Sequence, residues 1–273
     1  MTDLHASPLG HATRYVDGHD PGLLFPVDRT PQRAELGFGA ALPFRGVDVW
    51  TAYELSWLDP AGKPQVAIGT FSVPAESPRL VESKSVKLYL TALNQTRFGS
   101  DSEVAATIGR DLSAAAGASV DVSLTLPGGF AALPRAELSG ICLDALEIAI
   151  DAGEPVPEAL VAAGAPVEET LFTRLFRSLC PVTGQPDYAS VQLAYRGARI
   201  DRAGLLRYLV SFRRHPGFHE HCVERIFADV WRRCGPEALS VYARFTRRGG
   251  IDINPWRASA GGPPPAPART ARQ

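Results

Sequence analysis

Ser178-Leu179-Cys180-Pro181-Val182-Thr183-Gly184-Gln185-Pro186-Asp187 is a turn that carries chemistry. Pro181, Gly184 and Pro186 punctuate it, and punctuated apolar runs flank it at 171–179 and 189–195. Read as strands, those runs make a hairpin whose tip brings Cys180 and Asp187 to the same end. A thiol needs a neighbour to become a useful nucleophile, and a carboxyl group beside it can shuttle protons. Alone, such a pair is more often a small buried residue beside a turn former. The rest of the chain has to decide.

With 273 residues, the chain has room for one large domain or two ordinary ones, and 45% hydrophobic residues can bury a core. A net charge of -1 gives no sign of nucleic-acid or acidic-membrane binding. Cys142, Cys180, Cys222 and Cys234 have no CxxC spacing. There is no basic start followed by an apolar run and no apolar stretch of about 18 residues, so neither a signal peptide nor a transmembrane helix is expected. The expected setting is the cytoplasm, where thiols are reduced and a special Cys is catalytic before it is structural.

Outward from the turn, the two halves run in parallel. Residues 1–45 read as an irregular lead-in. Residues 47–58, a turn over 59–64 and a return over 65–73 read as a hairpin. Ser100 and Glu103 fit a capping box before Val104, Ile108 and Leu112, and 120–126 alternates like a strand. In the second half, 171–180 and 189–195 repeat the hairpin. Val223, Ile226, Phe227, Val230, Trp231 and Cys234 form a helical stripe, and 240–246 reads as a strand. Gly62-Lys63-Pro64-Gln65 matches Gly184-Gln185-Pro186-Asp187, and Tyr89-Leu90 matches Tyr208-Leu209. We read a duplicated strand–strand–helix–strand unit, whose helix is one piece or two. The expected organisation is a lead-in (1–45), a first module (46–150), an Ala-rich connector (151–168), a second module (169–257) and a disordered tail (258–273). Under this alignment Cys180 corresponds to Asp59 and Asp187 to Gln65, so the first half lacks both reactive groups. Each half keeps polar residues the other has lost, as one composite site built from two specialised copies would.

Other motifs have two readings. Phe218-His219-Glu220 opens a helix, where Glu220 is either a first-turn acid or a carboxylate that accepts two N–H donors. Thr246-Arg247-Arg248-Gly249-Gly250 is either a solvated turn or a phosphate clamp, since guanidinium forks suit phosphate and Gly permits close approach. Glu82-Ser83-Lys84-Ser85-Val86-Lys87 is either a solvated segment or an acceptor with cations for a phosphorylated cofactor. Cys234 reads as core, and Cys222 as structural or silent.

Four of these stretches together, 178–187, VESKSVKLY at 81–89, SFRRHPGFHE at 211–220 and FTRRGGI at 245–251, resemble the nitrile reductases that convert 7-cyano-7-deazaguanine to its aminomethyl product. The resemblance covers roughly residues 8–257 and fits the long, two-module form of that family. It implies an α+β fold of two tandem tunnelling-fold modules, each an antiparallel sheet backed by helices, in a homodimer. Cys180 would add to the nitrile carbon and form a thioimide, and Asp187 would be the general acid/base. Glu82 and Glu220 would read the N–H edge of the deazaguanine, with His219, Val81 and Ser83 lining the pocket. Ser83, Lys84, Arg248 and Gly249 would hold NADPH, consumed twice per turnover, with no metal. The role implied is queuosine synthesis for tRNA, tRNA itself not being the substrate.

The residues agree with that chemistry. A nitrile resists hydride until a nucleophile makes it imine-like, and an acid must then protonate its nitrogen. GxGxxG is absent, so a nicotinamide cofactor would rely on scattered cations. A cyclohydrolase of the same fold would need a metal or a different His/Cys set, and no His pair here has ligand spacing. A non-catalytic purine- or pterin-binding module would keep Glu82 and Glu220 but have no use for Cys180 and Asp187.

Overall fold

The computed structural model describes residues 15–39, 41–150, 153–259, 264–265 and 268–273. The chain divides into two compact units. The division is not a single cut in the sequence: 36–47 belong to the second unit, and 247–253 return to the first.

In the first unit the lead-in is more regular than expected. It contains β1 (Pro26–Asp28) and α1 (Thr30–Glu35), and β1 pairs with a later short strand, Pro26 opposite Val81. Residues 1–14 lie outside the described residues. β2 (Arg45–Leu58) and β3 (Pro64–Pro74) form the expected hairpin. Asp59 accepts from the Ala61 and Lys63 N–H groups, and Gly62 takes φ +90, which an L side chain rarely adopts. Along β3, Ala67, Phe71 and Val73 are buried by strict alternation. After β4 (Arg79–Val81) come α2 (Ser83–Ala92) and α3 (Asp101–Ala116), so the helical part is two pieces. Ser100 caps α3 by accepting from the Glu103 N–H, and Glu103 reaches back to the Gly99 N–H. β5 (Asp121–Thr125) pairs antiparallel with β3. Trp50, Leu55, Trp57 and Phe71 from the strands meet Val86, Tyr89, Val104 and Ile108 from the helices in one core.

In the second unit β6 (Ile141–Cys142) runs parallel to the edge of β7 (Ala162–Leu179), and β7 pairs antiparallel with β8 (Pro186–Ile200). β7 begins well inside the expected connector. Its first residues pair with β8 across a register shift between Ala163 and Pro166. Pro166, opposite Ala198, sits at that irregularity, a place in a sheet that tolerates proline. α4 (Arg202–Ser211) and α5 (His219–Cys234) follow, then β9 (Ala238–Phe245) and β10 (Ile251–Ala258). The stripe of α5 is buried as read, with Val223, Ile226, Phe227 and Val230 fully covered.

β10 is a long strand the sequence reading missed. Arg248 and Ile251 bond to each other across Gly249 and Gly250, whose φ values are +56 and +77. That is a two-residue turn needing positive φ at both centres, and the Gly-Gly pair was its signal. The tail is also not disordered where it is described. Gln273 is buried; it donates to the Phe245 carbonyl and to Asn254 and accepts from Arg244.

The internal repeat extends to caps and hydrogen bonds. α2 and α4 each have 10 residues, α3 and α5 each 16. α3 ends at Gly117 (φ +73) and α5 at Gly235 (φ +56). Tyr89 donates to Asp111 at 2.7 Å, and Tyr208 donates to Asp229 at 2.7 Å. The expected α+β class of antiparallel strands with helices is what the chain adopts, the short β6 excepted.

Candidate active site

Cys180 follows the last residue of β7 and is 8% exposed. Its backbone closes the turn, with its N–H donating to the Gln185 carbonyl at 2.8 Å and its carbonyl accepting from Gly184 at 3.0 Å. Gly184 adopts φ +65 there. The tip is pinned from outside as well, since Leu179 N–H donates to the His215 carbonyl and Gly217 N–H to the Leu179 carbonyl. A Cβ on Gly217 would lie 3.1 Å from the Cys222 sulfur, a tight contact.

Asp187 is the second residue of β8, opposite Ser178 in the ladder. Paired residues project to one face and alternate residues return to it, so Ser178, Cys180 and Asp187 share the buried face while Leu179 and Pro186 share the other. The start of α5 meets this face. His219 Nε2 is 3.7 Å from Asp187 Oδ2, and the His219 ring packs on Phe245 at the end of β9, 3.9 Å between centroids. Glu220 is buried beside it in the same first turn. Phe218, the cap residue of α5, offers no side-chain acceptor. The positive end of the helix dipole therefore bears on the face that holds the thiol and carboxylates, where it favours negative charge.

Burial controls the neighbouring titrations. Desolvation pushes the Cys222 thiol up to about 12, with the Asp187 and Glu220 charges adding to it, so Cys222 stays protonated. Desolvation also holds His221 down at about 4, hence neutral. His215, His219 and His221 do not converge on one point: His219 faces Asp187, His215 faces Glu154 at 3.4 Å, and the rings of His215 and His221 are 6.4 Å apart.

The remaining residues singled out in the sequence belong to the first unit. Glu82 is fully buried and caps α2, its carboxylate accepting from the Lys84 N–H at 2.6 Å and the Ser85 N–H at 2.9 Å. Burial raises its pKa, against the pull of those two N–H donors and of Lys87. Asp201 does the same for α4 by accepting from Gly204. Ser83 lies 3.4 Å from a Glu82 oxygen. The Val81 side chain belongs to the hydrophobic core. Lys84 and Lys87, three positions apart, lie on one side of α2. The Lys87 stem runs against Gly249, 3.0 Å from where a Cβ would stand, so α2 and the Arg248 turn meet. Arg247 lies over the Tyr53 ring at 4.7 Å. Lys87 and Arg247 are thus held near this glycine turn, and ammonium and guanidinium groups are donors of the kind a phosphorylated dinucleotide takes.

Sequence reading passed over Ser178 and Phe245 as site residues. Ser178 lay inside the decisive stretch, and its place two residues before Cys180 in a strand was the available signal. Phe245 had none, because only the strand order brings β9 beside β8.

Comparison with known proteins is consistent across the length of the chain. Residues 15–124 match the family described as nitrile reductase, 7-cyano-7-deazaguanine-reductase N-term, and residues 186–262 match the QueF-like protein family. The chain is 59% identical over 271 residues to the NADPH-dependent 7-cyano-7-deazaguanine reductase of Bordetella pertussis, covering 99% of both. It is 58% identical over 269 residues to the enzyme of that name from Chromobacterium violaceum, covering 98% of this chain and 96% of the relative. It is likewise 58% identical over 269 residues to that of Burkholderia ambifaria, covering 98% of each.

Proposed function

The chain belongs to the family of NADPH-dependent 7-cyano-7-deazaguanine reductases, and from that premise we propose how its own side chains carry the reaction. The protein is an oxidoreductase that reduces the nitrile of 7-cyano-7-deazaguanine with NADPH. Going from nitrile to aminomethyl takes four electrons and four hydrogens. NADPH, when bound, supplies the hydride for each of the two reductions.

The Cys180 S–H bond breaks as the sulfur adds to the nitrile carbon, and the C≡N bond becomes C=N, so that one proton leaves sulfur and one is taken up on nitrogen. The product of that step is a thioimide. Asp187 supplies the proton and is reprotonated for the next one. Once the first hydride has reached the carbon, the C–S bond breaks, the thiolate leaves and an imine remains for the second reduction. His219, 3.7 Å from Asp187, is the group that can hold the carboxylate in register. Glu220, buried in the first turn of α5, accepts N–H donors of the heterocycle, and Glu82 is proposed for the same task. Glu82 has capacity for it, because a carboxylate accepts at about four positions and two are taken by backbone N–H groups. Ser83, Lys84, Arg248 and Gly249 are proposed to hold NADPH.

The observation that most supports this reading is that the β7–β8 register puts Cys180 and Asp187 on one buried face at the start of α5. The finer fold reading, two tandem tunnelling-fold modules, is supported by the repeated helix lengths and by the Tyr–Asp bond in each unit. A homodimer working in the cytoplasm in queuosine synthesis completes the proposal. The test is intact mass after mixing the protein with 7-cyano-7-deazaguanine and no NADPH. A gain equal to the whole nitrile, absent in Cys180→Ala and discharged by NADPH, is expected. Bound ligand without a mass gain would overturn the covalent step.

A further inference from the structure

Ser178 faces Asp187 directly across the β7–β8 ladder and is fully buried. Its hydroxyl lies close enough to the Cys222 thiol to ease that group's pKa against a larger burial effect. Yet among the described residues it meets no hydrogen-bond partner at proper geometry. A buried hydroxyl in that condition carries a desolvation penalty that an alanine would not. The position gains from the hydroxyl only if another state of the site uses it. Asp187 has such a state. After giving its proton to the substrate nitrogen it is a carboxylate largely out of water, and an O–H from the opposite strand is then a charge-assisted donor.

We propose that Ser178 is a positioning residue, its hydroxyl turning to donate to the Asp187 carboxylate left after proton transfer and holding it for reprotonation. This rests on Asp187 being the proton donor, as argued above. From α5, His219 lies 3.7 Å from Asp187 and the Cys222 thiol feels the charges of Asp187 and Glu220, while the uncharged Phe245 of β9 packs on His219.

The test compares wild type, Ser178→Ala and Ser178→Thr by the pH dependence of kcat, by KM for 7-cyano-7-deazaguanine, and by intact mass of the nitrile adduct. Losing a donor to the carboxylate raises the Asp187 pKa. In Ser178→Ala the limb that requires protonated Asp187 is therefore expected to move to higher pH. A kcat lower by about tenfold, KM within twofold and an unchanged Cys180 adduct should accompany it. Ser178→Thr, which keeps the hydroxyl, should return the limb toward wild type. A lower kcat with no movement of the limb would overturn the proposal, as would a limb that Ser178→Thr does not restore. If Ser178→Ala does not fold, Ser178→Cys under reducing conditions replaces it. Its weak S–H donor should move the limb part-way, and an unmoved limb overturns the proposal. Absence of the adduct in wild type would count against Cys180 instead.

Discussion

At the residue scale the decisive property is where a charge is allowed to appear. Cys180 and Asp187 sit on a face with little water, next to a helix start that offers no side-chain cap. Asp187→Asn keeps the shape and removes the transferable proton. We expect NADPH turnover to fall by about 10²–10⁴-fold while 7-cyano-7-deazaguanine still binds within about threefold of wild type. Steady-state NADPH absorbance and equilibrium binding check the two halves of that statement, and a turnover loss below tenfold would remove Asp187 from the acid role. Glu82 shows how one residue serves two levels. Its carboxylate caps α2, as Asp201 caps α4, so the Glu at this position already has a structural reason. The sequence displayed Glu82, Ser83 and Lys84 as a motif, but not that the first of them is a cap. Helix propensity alone does not mark a buried Glu as an N-cap, since Ser, Thr, Asp and Asn lead there.

At the element scale, α5 links stability to the site. Its first turn carries His219 and Glu220, its next residues include His221, and its stripe fills the core. His221 has a folded pKa of about 4 against an ordinary 6.5, because burial disfavours the cation. Between those values the unfolded chain takes a proton that the folded chain refuses, so stability falls as pH drops from 6.5 toward 4. The contribution across the window is about 3 kcal/mol. In His221→Gln, urea unfolding is expected to lose up to one proton's worth of slope there, about 1.4 kcal/mol per pH unit. An unchanged slope would mean that His221 is protonated in the fold. The long strands, the α5 stripe and the hairpin turn were legible because each is a local pattern. β10 was not read, although Gly249-Gly250 announces its turn, because Pro255 and Asn254 break the apolar alternation. The early start of β7 was hidden by Ala, Gly and Pro at 162–166, which look like a connector and pair as an edge.

At the scale of the whole molecule, distant parts of the sequence are spent on single environments. Gln273 accepts from the buried Arg244 guanidinium and bonds Asn254 and the Phe245 backbone. Gln273→Ala leaves that buried charge one acceptor short, and we expect a loss of about 2 kcal/mol in urea unfolding. A change under about 0.5 kcal/mol would show that Arg244 finds a substitute in Tyr242. The sequence by itself determined the two-part organisation, the hairpin that carries Cys180 and Asp187, the α5 stripe and the family. These are written in short-range spacing and in motifs, which a chain carries folded or not. Only the tertiary structure decided that Ser178 opposes Asp187, that Phe245 packs on His219, that Val81 is core and that Gln273 is buried. The physical reason is that register and strand order are set by which faces exclude water together. That is a property of the packed sheet and helices, and no local run of residues encodes it.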